Sequence, residues 1–457
     1  MLFRSKPGTR KPRTDTVNTN VVGINGRTFA IVEAGGFPVE LTDELETISH
    51  YPFDNTLDNG FSAHPHIDPK TGDAHAIVYD APVMDRIWHV VVGSDGLVKR
   101  QEPIEVEHGP SVHDCQITEN YVLVFDLPAT FSMKRMLAGF AFPYDWNPDH
   151  KARVGLCPKD GSGADTIWCD VDPCYVYHAA NAYESDDGAV IVDVVVHEST
   201  YARSTFGPGG AWSRLERWTV DPKSGKVDRK ILSDQAQEFP RYDERRTMQD
   251  YQYIYAIALA GEPDQLDMAG NELFKHDLKS GEKLSRHFGD KRHPGEFVFV
   301  PRSADSAEDE GWLIGLVIDM EQETTELQVL NADDFLGEAQ AIIHLPHRIP
   351  PGFHGNWVAS SCDRLFTVEF RSLQIALEPT APLFQQWPHL TEGAGRVGER
   401  NIGIEMVDQM ILHPHRRNIA NLALEEPGVA VATQFLGRVM RRPTEEKLDI
   451  EIGRAHV

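Results

Sequence analysis

IDPKTGD, from Ile67 to Asp73, has two near copies further along the chain: VDPKSGK, from Val220 to Lys226, and HDLKSGE, from His276 to Glu282. Each stands between two runs rich in Val, Ile, Tyr and Phe. An Asp, two intervening residues, a Ser or Thr and then Gly is hairpin chemistry, with the glycine taking the positive-φ position. Between about Thr28 and Trp357 such runs dominate: TFAIVEA, HAIVYD, IWHVVVG, YVLVFDL, AVIVDVVVH, YQYIYAIALA, EFVFVP, WLIGLVID and ELQVLN. They are short, turn-bounded and strand-like, and none reads as a long helix. One hairpin recurring among many short strands predicts an all-β chain. A β-propeller, with blades of ~40–50 residues, is the first reading on these facts, and a large β-sandwich is the second. After Val358 the character changes. Ile404, Met406, Val407, Met410, Ile411 and then Leu422 and Leu424 fall at roughly helical spacing, which predicts a separate helical segment.

Composition narrows the partners. The 457 residues carry 70 acidic against 44 basic side chains, a net charge of −26, so no excess of cations exists to neutralise a nucleic-acid backbone. Five cysteines without a CxxC pair speak against a disulfide framework and a zinc knuckle and suit a reducing cytosol. The basic N-terminus is not followed by an apolar h-region, and no run approaches the ~20 apolar residues of a membrane-spanning helix.

Twenty histidines are spread along the chain, and a single histidine near an aromatic is more often structural than a ligand. Four share a setting, each at a strand edge beside small or turn residues: His64 in FSAHPHIDP, His113 in SVHDCQITENY, His178 in CYVYHAANAYE and His354 in RIPPGFHGNWV. Separations of 49, 65 and 176 residues exclude a local metal loop or an HExxH helix. They are compatible with one ligand from each of four blades converging on a propeller axis, and imidazole suits iron, copper, nickel and zinc. His66 shares a strand face with His64 and is a rival ligand. His50, His197, His276, His293, His344 and His347 are read as structural or surface residues.

NTNV (Asn18 to Val21), AHPHIDPKTGD, HDCQITENYVLVFDLP, CYVYHAANAYE, EFPRYDERR, PGEFVFVPR and PGFHGNWV occur in this order over Arg13 to Val358. Their order and spacing resemble the carotenoid cleavage oxygenase family, which includes apocarotenoid- and stilbenoid-cleaving dioxygenases and the retinoid isomerase of the eye. The resemblance implies a seven-bladed propeller holding one non-haem Fe(2+) per chain on four histidines, which by motif match are His64, His113, His178 and His354. It also implies carboxylates on the outward ring N–H of three ligands, matched by Glu33, Glu238 and Glu296. A Glu inside an apolar strand needs a donor to be buried. Thr19 matches a small residue beside the iron whose methyl limits one coordination position.

The resemblance further implies a reaction, in which a conjugated C=C bond is cleaved with O2 to aldehyde or ketone products. Stilbenoid cleavers have a Lys directly before the first carboxylate, and Val32 stands there instead. That favours an apolar polyene, a carotenoid or apocarotenoid, over a lignostilbene-type substrate. Met133, Met136, Leu137, Phe140 and Phe142, beside Lys134 and Arg135, lie where the family has an apolar patch at the tunnel mouth that dips into a membrane. A cytoplasmic protein in peripheral membrane contact is expected, and an ordinary cap over a blade is the plain alternative.

The chain also departs from the family. Members carry more chain before the first ligand, roughly two blades at ~40–50 residues each, and end soon after the fourth. The expected division is an N-terminally incomplete propeller over 6–358 and a helical tail over 359–450. MLFRS at 1–5 and EIGRAHV at 451–457 read as translated sequencing adapter. An open propeller exposes unpaired edges, so an inactive truncated propeller that only binds a lipophile is the competing expectation.

Overall fold

The computed structural model describes residues 17–358 apart from 44, 82, 141, 203–211 and 262–269, together with four short strands beyond 358. Six sheets of four or more strands follow one another along the chain, five of them four-stranded and antiparallel and the sixth extended by a fifth strand, Leu373–Ile375, parallel to Ala341–His344. Blade 1 is Asn20–Ile24, Arg27–Ile31, Val39–Leu41 and Thr47–His50; blade 2 is His66–Ile67, Ala74–Val78, Arg86–Val92 and Val98–Glu105. Blade 3 is Cys115–Ile117, Tyr121–Asp126, Arg153–Pro158 and Ile167–Asp170, interrupted by a small hairpin, Ala129–Phe131 with Tyr144–Trp146, that frames the helix Met133–Leu137. Blades 4, 5 and 6 begin at Tyr175–Glu184, Gln237–Arg241 and Arg292–Pro301. From blade 2 to blade 6 the first strand of each blade lies against the first strand of the next, and that of blade 1 lies against Asn356–Trp357, so first strands are inner strands.

The quoted hairpins behave alike. The carboxylates of Asp68, Asp221 and Asp277 accept the amides of Lys70, Lys223 and Lys279 at 2.8, 2.9 and 2.9 Å. Gly72, Gly225 and Gly281 close the turns at φ of 74°, 71° and 76°, where a side chain would be strained. Their places differ, however. The first joins the two inner strands of blade 2, while the others join the two outer strands of blades 4 and 5. The shared stretch therefore marks a turn chemistry and not a blade period.

The apolar core is a ring of wedges between blades. Phe29 and Ile31 of blade 1 pack on Ala76 and Val90 of blade 2. Ile77 and Ile104 meet Ile117 and Val124, and Leu123 and Val154 meet Val192 and Val194. Val195 and Leu215 meet Tyr242 and Ile254, and Tyr255 and Leu273 meet Phe297 and Leu313. Strands buried on both faces need continuous apolar runs, which is why Val190–His197 reads VIVDVVVH.

Of the seven-bladed, N-terminally incomplete propeller expected, six blades stand among the described residues. Outside these blades, among the described residues, Asn356–Trp357 pairs in parallel with Ile411–Leu412. Blade 6 turns Val300, Trp312, Ile314 and Val329 toward Ile349 and Trp357, leaving a cavity of ≈ 330 Å³ along that seam. The ring is joined through Asn356, whose Nδ2 donates to Asn20 Oδ1 at 2.8 Å and to the Val21 carbonyl at 2.9 Å. The expected helical tail and the terminal peptides lie outside the described residues except at Leu373–Ile375, Ile411–Leu412, Ala432–Leu436 and Glu451–Ala455, all strands. The four described cysteines, Cys115, Cys157, Cys169 and Cys174, are buried and unbridged.

Candidate metal centre

Inner strands carry the polar motifs to the axis in two ways. His64, His113 and His354 each stand two residues ahead of an inner strand, His66–Ile67, Cys115–Ile117 and Asn356–Trp357, where the chain has not yet joined a ladder. The others lie within strands and use breaks in pairing. Register shifts fall between Val176 and Ala179, between Glu238 and Arg241, and between Pro294 and Phe297. His178 and Glu296 sit inside such breaks, and Glu238 opens one. A bulge turns a side chain out of the strict alternation of a strand. At Phe239 the turn is sharp enough to take a left-handed φ of 54°, uncommon for a residue with a large side chain. Its ring lies 5.1 Å from those of both His178 and His354.

The four histidines meet. Nε2 of His113 lies 3.1 Å from that of His64 and 3.2 Å from that of His178, and His178 and His354 are 3.1 Å apart. All four ligand atoms fall within 4.8 Å of one another. The outward nitrogens settle their protonation. Nδ1 of His113 is 2.9 Å from Glu33 Oε2, that of His178 is 2.6 Å from Glu238 Oε2, and that of His354 is 3.2 Å from Glu296 Oε1. An ionised carboxylate only accepts, so these three Nδ1 atoms carry the proton and their Nε2 atoms are bare lone pairs. His64 has no carboxylate partner among the described residues.

Converging lone pairs in a buried site repel unless a cation lies between them. With metal–nitrogen bonds of about 2.1 Å, ligands at right angles stand roughly 3.0 Å apart and tetrahedral ones roughly 3.4 Å. The observed separations of 3.1 and 3.2 Å lie between the two values, within reach of a single ion. Nitrogen donors without thiolate or carboxylate suit iron among other transition metals, so the residues present fit a bound Fe(2+).

Electrostatics keep the three carboxylates ionised. Burial by itself pushes the carboxylates up, yet each ends below its ordinary range. Glu296 falls to about 2 beside Arg241 and His354, and the facing imidazoles lower Glu33 and Glu238. Burial, then the three neighbouring rings, keeps His64 far below its ordinary value. Burial also lowers His354. At His178 burial is outweighed by Glu238, and the pKa is raised.

Each carboxylate has a further holder. Tyr79 donates its hydroxyl to Glu33 and contacts Ser111 Oγ at 3.1 Å. Glu238 Oε1 takes Nε2 of the fully buried His197 at 2.7 Å. Glu296 Oε2 takes the Gly355 amide at 2.9 Å, and its Oε1 faces Arg241. The sequence reading passes over Tyr79, Phe239 and Arg241, and it takes His197 as a structural or surface residue. His197, at the end of VIVDVVVH, offered one signal, a polar group closing a run too apolar to be exposed.

The remaining expected residues scatter. His66 turns away from the cluster to Asp114 Oδ1, 2.9 Å from its Nε2. Thr19 stands just ahead of the inner strand of blade 1, its hydroxyl donating to Asn18 Oδ1 at 3.3 Å. Met133, Leu137 and Phe140 are 51%, 69% and 43% exposed. Met136 is half-buried, and Phe142 packs on Tyr144 and Tyr201.

Known proteins resemble this chain in sequence and in fold. The family model described as Retinal pigment epithelial membrane protein matches residues 2–359. A carotenoid cleavage oxygenase of Mycobacterium tuberculosis is 36% identical over 400 residues, covering 77% of this chain and 79% of the relative. Carotenoid 9,10(9',10')-cleavage dioxygenase 1 of Arabidopsis thaliana is 29% identical over 364 residues, covering 75% of this chain and 66% of the relative. Among solved structures, the Pseudomonas brassicacearum lignostilbene dioxygenase superposes with a TM-score of 0.66 at 28% identity, over 74% of each chain. The cobalt-substituted Synechocystis apocarotenoid oxygenase gives the same score and identity over 74% of this chain and 73% of its own. The chain belongs to the Retinal pigment epithelial membrane protein family, the family of the carotenoid cleavage oxygenases.

Proposed function

We propose that the protein is a non-haem Fe(2+) dioxygenase that cleaves a conjugated C=C bond of a carotenoid or apocarotenoid with O2, giving aldehyde or ketone products. The carrying observation is the convergence of the Nε2 atoms of His64, His113, His178 and His354, three of them fixed as lone pairs by Glu33, Glu238 and Glu296. Iron held there supplies the activation of dioxygen. The protein's own part is orientation. The carboxylates keep three rings in one tautomer, and Phe239 packs against two of them. The surrounding burial keeps water from competing at the centre.

Val32, directly before Glu33, packs with Val17, Val21, Ala30, Val39 and Val358. No cation stands at that position to hold a phenolate, which supports a polyene. The lignostilbene-type alternative draws on the equal structural likeness to the Pseudomonas enzyme. Thr19 is proposed to border one coordination position. The exposed Met133, Leu137 and Phe140 with Lys134 support peripheral membrane contact for a cytoplasmic protein, through which a lipophilic substrate is collected. Among the described residues no helix is long and apolar enough to cross a membrane.

The test is bound iron per chain in the 457-residue protein and in His354→Ala, followed by aldehyde release from an apocarotenal and from a hydroxystilbene. One iron, lost with His354, and turnover of the apocarotenal alone are expected. No iron in the parent protein would leave a module that only binds a lipophile, and turnover of the hydroxystilbene alone would reverse the choice of substrate.

A further inference from the structure

Two adjacent blades of a propeller share no backbone ladder along the axis, so something else must set how their inner strands stand relative to one another. Between blades 3 and 4 that task falls on the residues after His113 in the stretch HDCQ. Asp114 is 4% exposed. Its Oδ2 accepts the amide of Ala179, the residue after His178, at 2.9 Å. Its Oδ1 accepts the amide of Cys115 at 2.7 Å and faces His66 Nε2 at 2.9 Å, two residues beyond His64. One carboxylate thus touches all three strands that bring His64, His113 and His178 to the axis.

Its neighbours extend the clamp. Gln116, wholly buried, donates Nε2 to the carbonyls of Ala179 and Ala180 at 3.2 and 3.0 Å. Cys115 Sγ lies 3.8 Å from the His64 carbonyl. Ala179 resumes pairing immediately after the break that frees His178. Its amide and its carbonyl are therefore both held from the next blade at the point where His178 is aimed.

We infer that Asp114, assisted by Gln116, is a positioning residue of the metal centre, holding three ligand strands in the mutual placement that brings their Nε2 atoms together without itself touching the metal. The inference rests on the four-histidine reading above. The cluster of His66, Asp114 and Cys115 could be taken for a second metal site, but both Asp114 oxygens are already engaged by backbone amides. Every donor around Asp114 is an N–H, so an amide is a poor replacement. In Asp114→Asn one face presents NH2 to another N–H donor while size is kept.

The test compares the 457-residue chain with Asp114→Asn and with Glu216→Gln. Glu216 is a buried carboxylate on the third strand of blade 4, bonded to Arg214, Trp218 and Arg229, away from the ligands. Co2+ is the probe, read by its affinity and by its visible absorption, which reports ligand geometry, alongside hydrogen exchange of the Ala179 and Cys115 amides. Asp114→Asn is expected to weaken Co2+ binding about 10- to 100-fold, the range for residues that orient metal-binding histidines, to shift the absorption and to unprotect both amides. Glu216→Gln is expected to lower stability without either metal effect. Equal Co2+ affinity and spectrum in Asp114→Asn and the parent would overturn the inference, as would equal losses in both variants, which mark a general loss of stability. A parent chain that takes up no Co2+ would instead overturn the four-histidine reading. The clamp is then decided by exchange alone, and unchanged amide protection in Asp114→Asn removes it. If Asp114→Asn does not fold, Gln116→Met carries the same comparison.

Discussion

Glu238 Oε2 lies 2.6 Å from Nδ1 of His178, while its other oxygen takes His197 at 2.7 Å. One carboxylate therefore accepts from two buried imidazoles. In Glu238→Gln only one acceptor oxygen remains for two N–H donors, so either His178 loses its tautomer or His197 loses its partner. A loss of iron affinity of about 10- to 100-fold is expected, or roughly 1.4 to 2.7 kcal/mol. Chelator competition measures it, and unchanged retention would remove Glu238 from the ligand-orienting set.

Two histidines outside the centre predict an acid limit to stability. His75 is buried and its pKa is pushed down to about 4, by burial first and by Lys159 second. His276, whose Nε2 meets Gln237 Oε1 at 2.8 Å, falls to about 4 by burial and then Lys283. Folded values below the ordinary 6.5 mean that the unfolded chain takes up these protons first. Stability is thus complete above about pH 6.5, declines as pH falls toward 4, and loses nothing further from these groups below that. Each contributes up to about 3 kcal/mol across the window. Urea unfolding at pH 7 and at pH 5 tests it. In His276→Gln the difference between the two pH values is expected to shrink, and an undiminished difference would assign the acid sensitivity elsewhere.

Strands and hairpins were legible because their signals are local. An Asp that accepts an amide two residues on, with a Gly at positive φ, reads the same in any blade. The four converging histidines were legible only through motif order, since nothing in a period-two pattern announces a register break. His178 and Glu296 reach their positions through bulges, and a bulge removes the alternation that would have located it. The recurring turn could not count blades, because it joins inner strands in blade 2 and outer strands in blades 4 and 5. Asn20, Asp114, Gln116 and Asn356 stood in the quoted motifs without a role, as their partners lie in other blades or across the ring.

The exposed face of Met133–Leu137 makes a prediction about surfaces. Leu137 is 69% exposed and Met133 51%, with Lys134 beside them. If this face enters a bilayer interface, Leu137→Glu forfeits about 2 kcal/mol of apolar burial, which is roughly 30-fold in partitioning. Co-sedimentation with anionic liposomes reads this directly, while iron content stays unchanged. Equal sedimentation of the two proteins would make the helix a plain cap on blade 3.

Phe239 sets two demands against each other. Its ring is 3% exposed and packs against His178 and His354, but its φ of 54° favours glycine. Phe239→Ala removes the ring and keeps the strain, an expected loss of about 3 to 5 kcal/mol. Phe239→Gly removes both. In an ordinary strand Gly is the less stable choice by roughly 0.5–1 kcal/mol; here the order is expected to invert, with the Gly variant unfolding at higher urea than the Ala variant. Iron affinity is expected to fall in both, because each leaves the two rings without their shared neighbour. Should Ala prove the more stable, the left-handed turn at the metal centre carries no strain, and the ring's packing alone accounts for a Phe at that position.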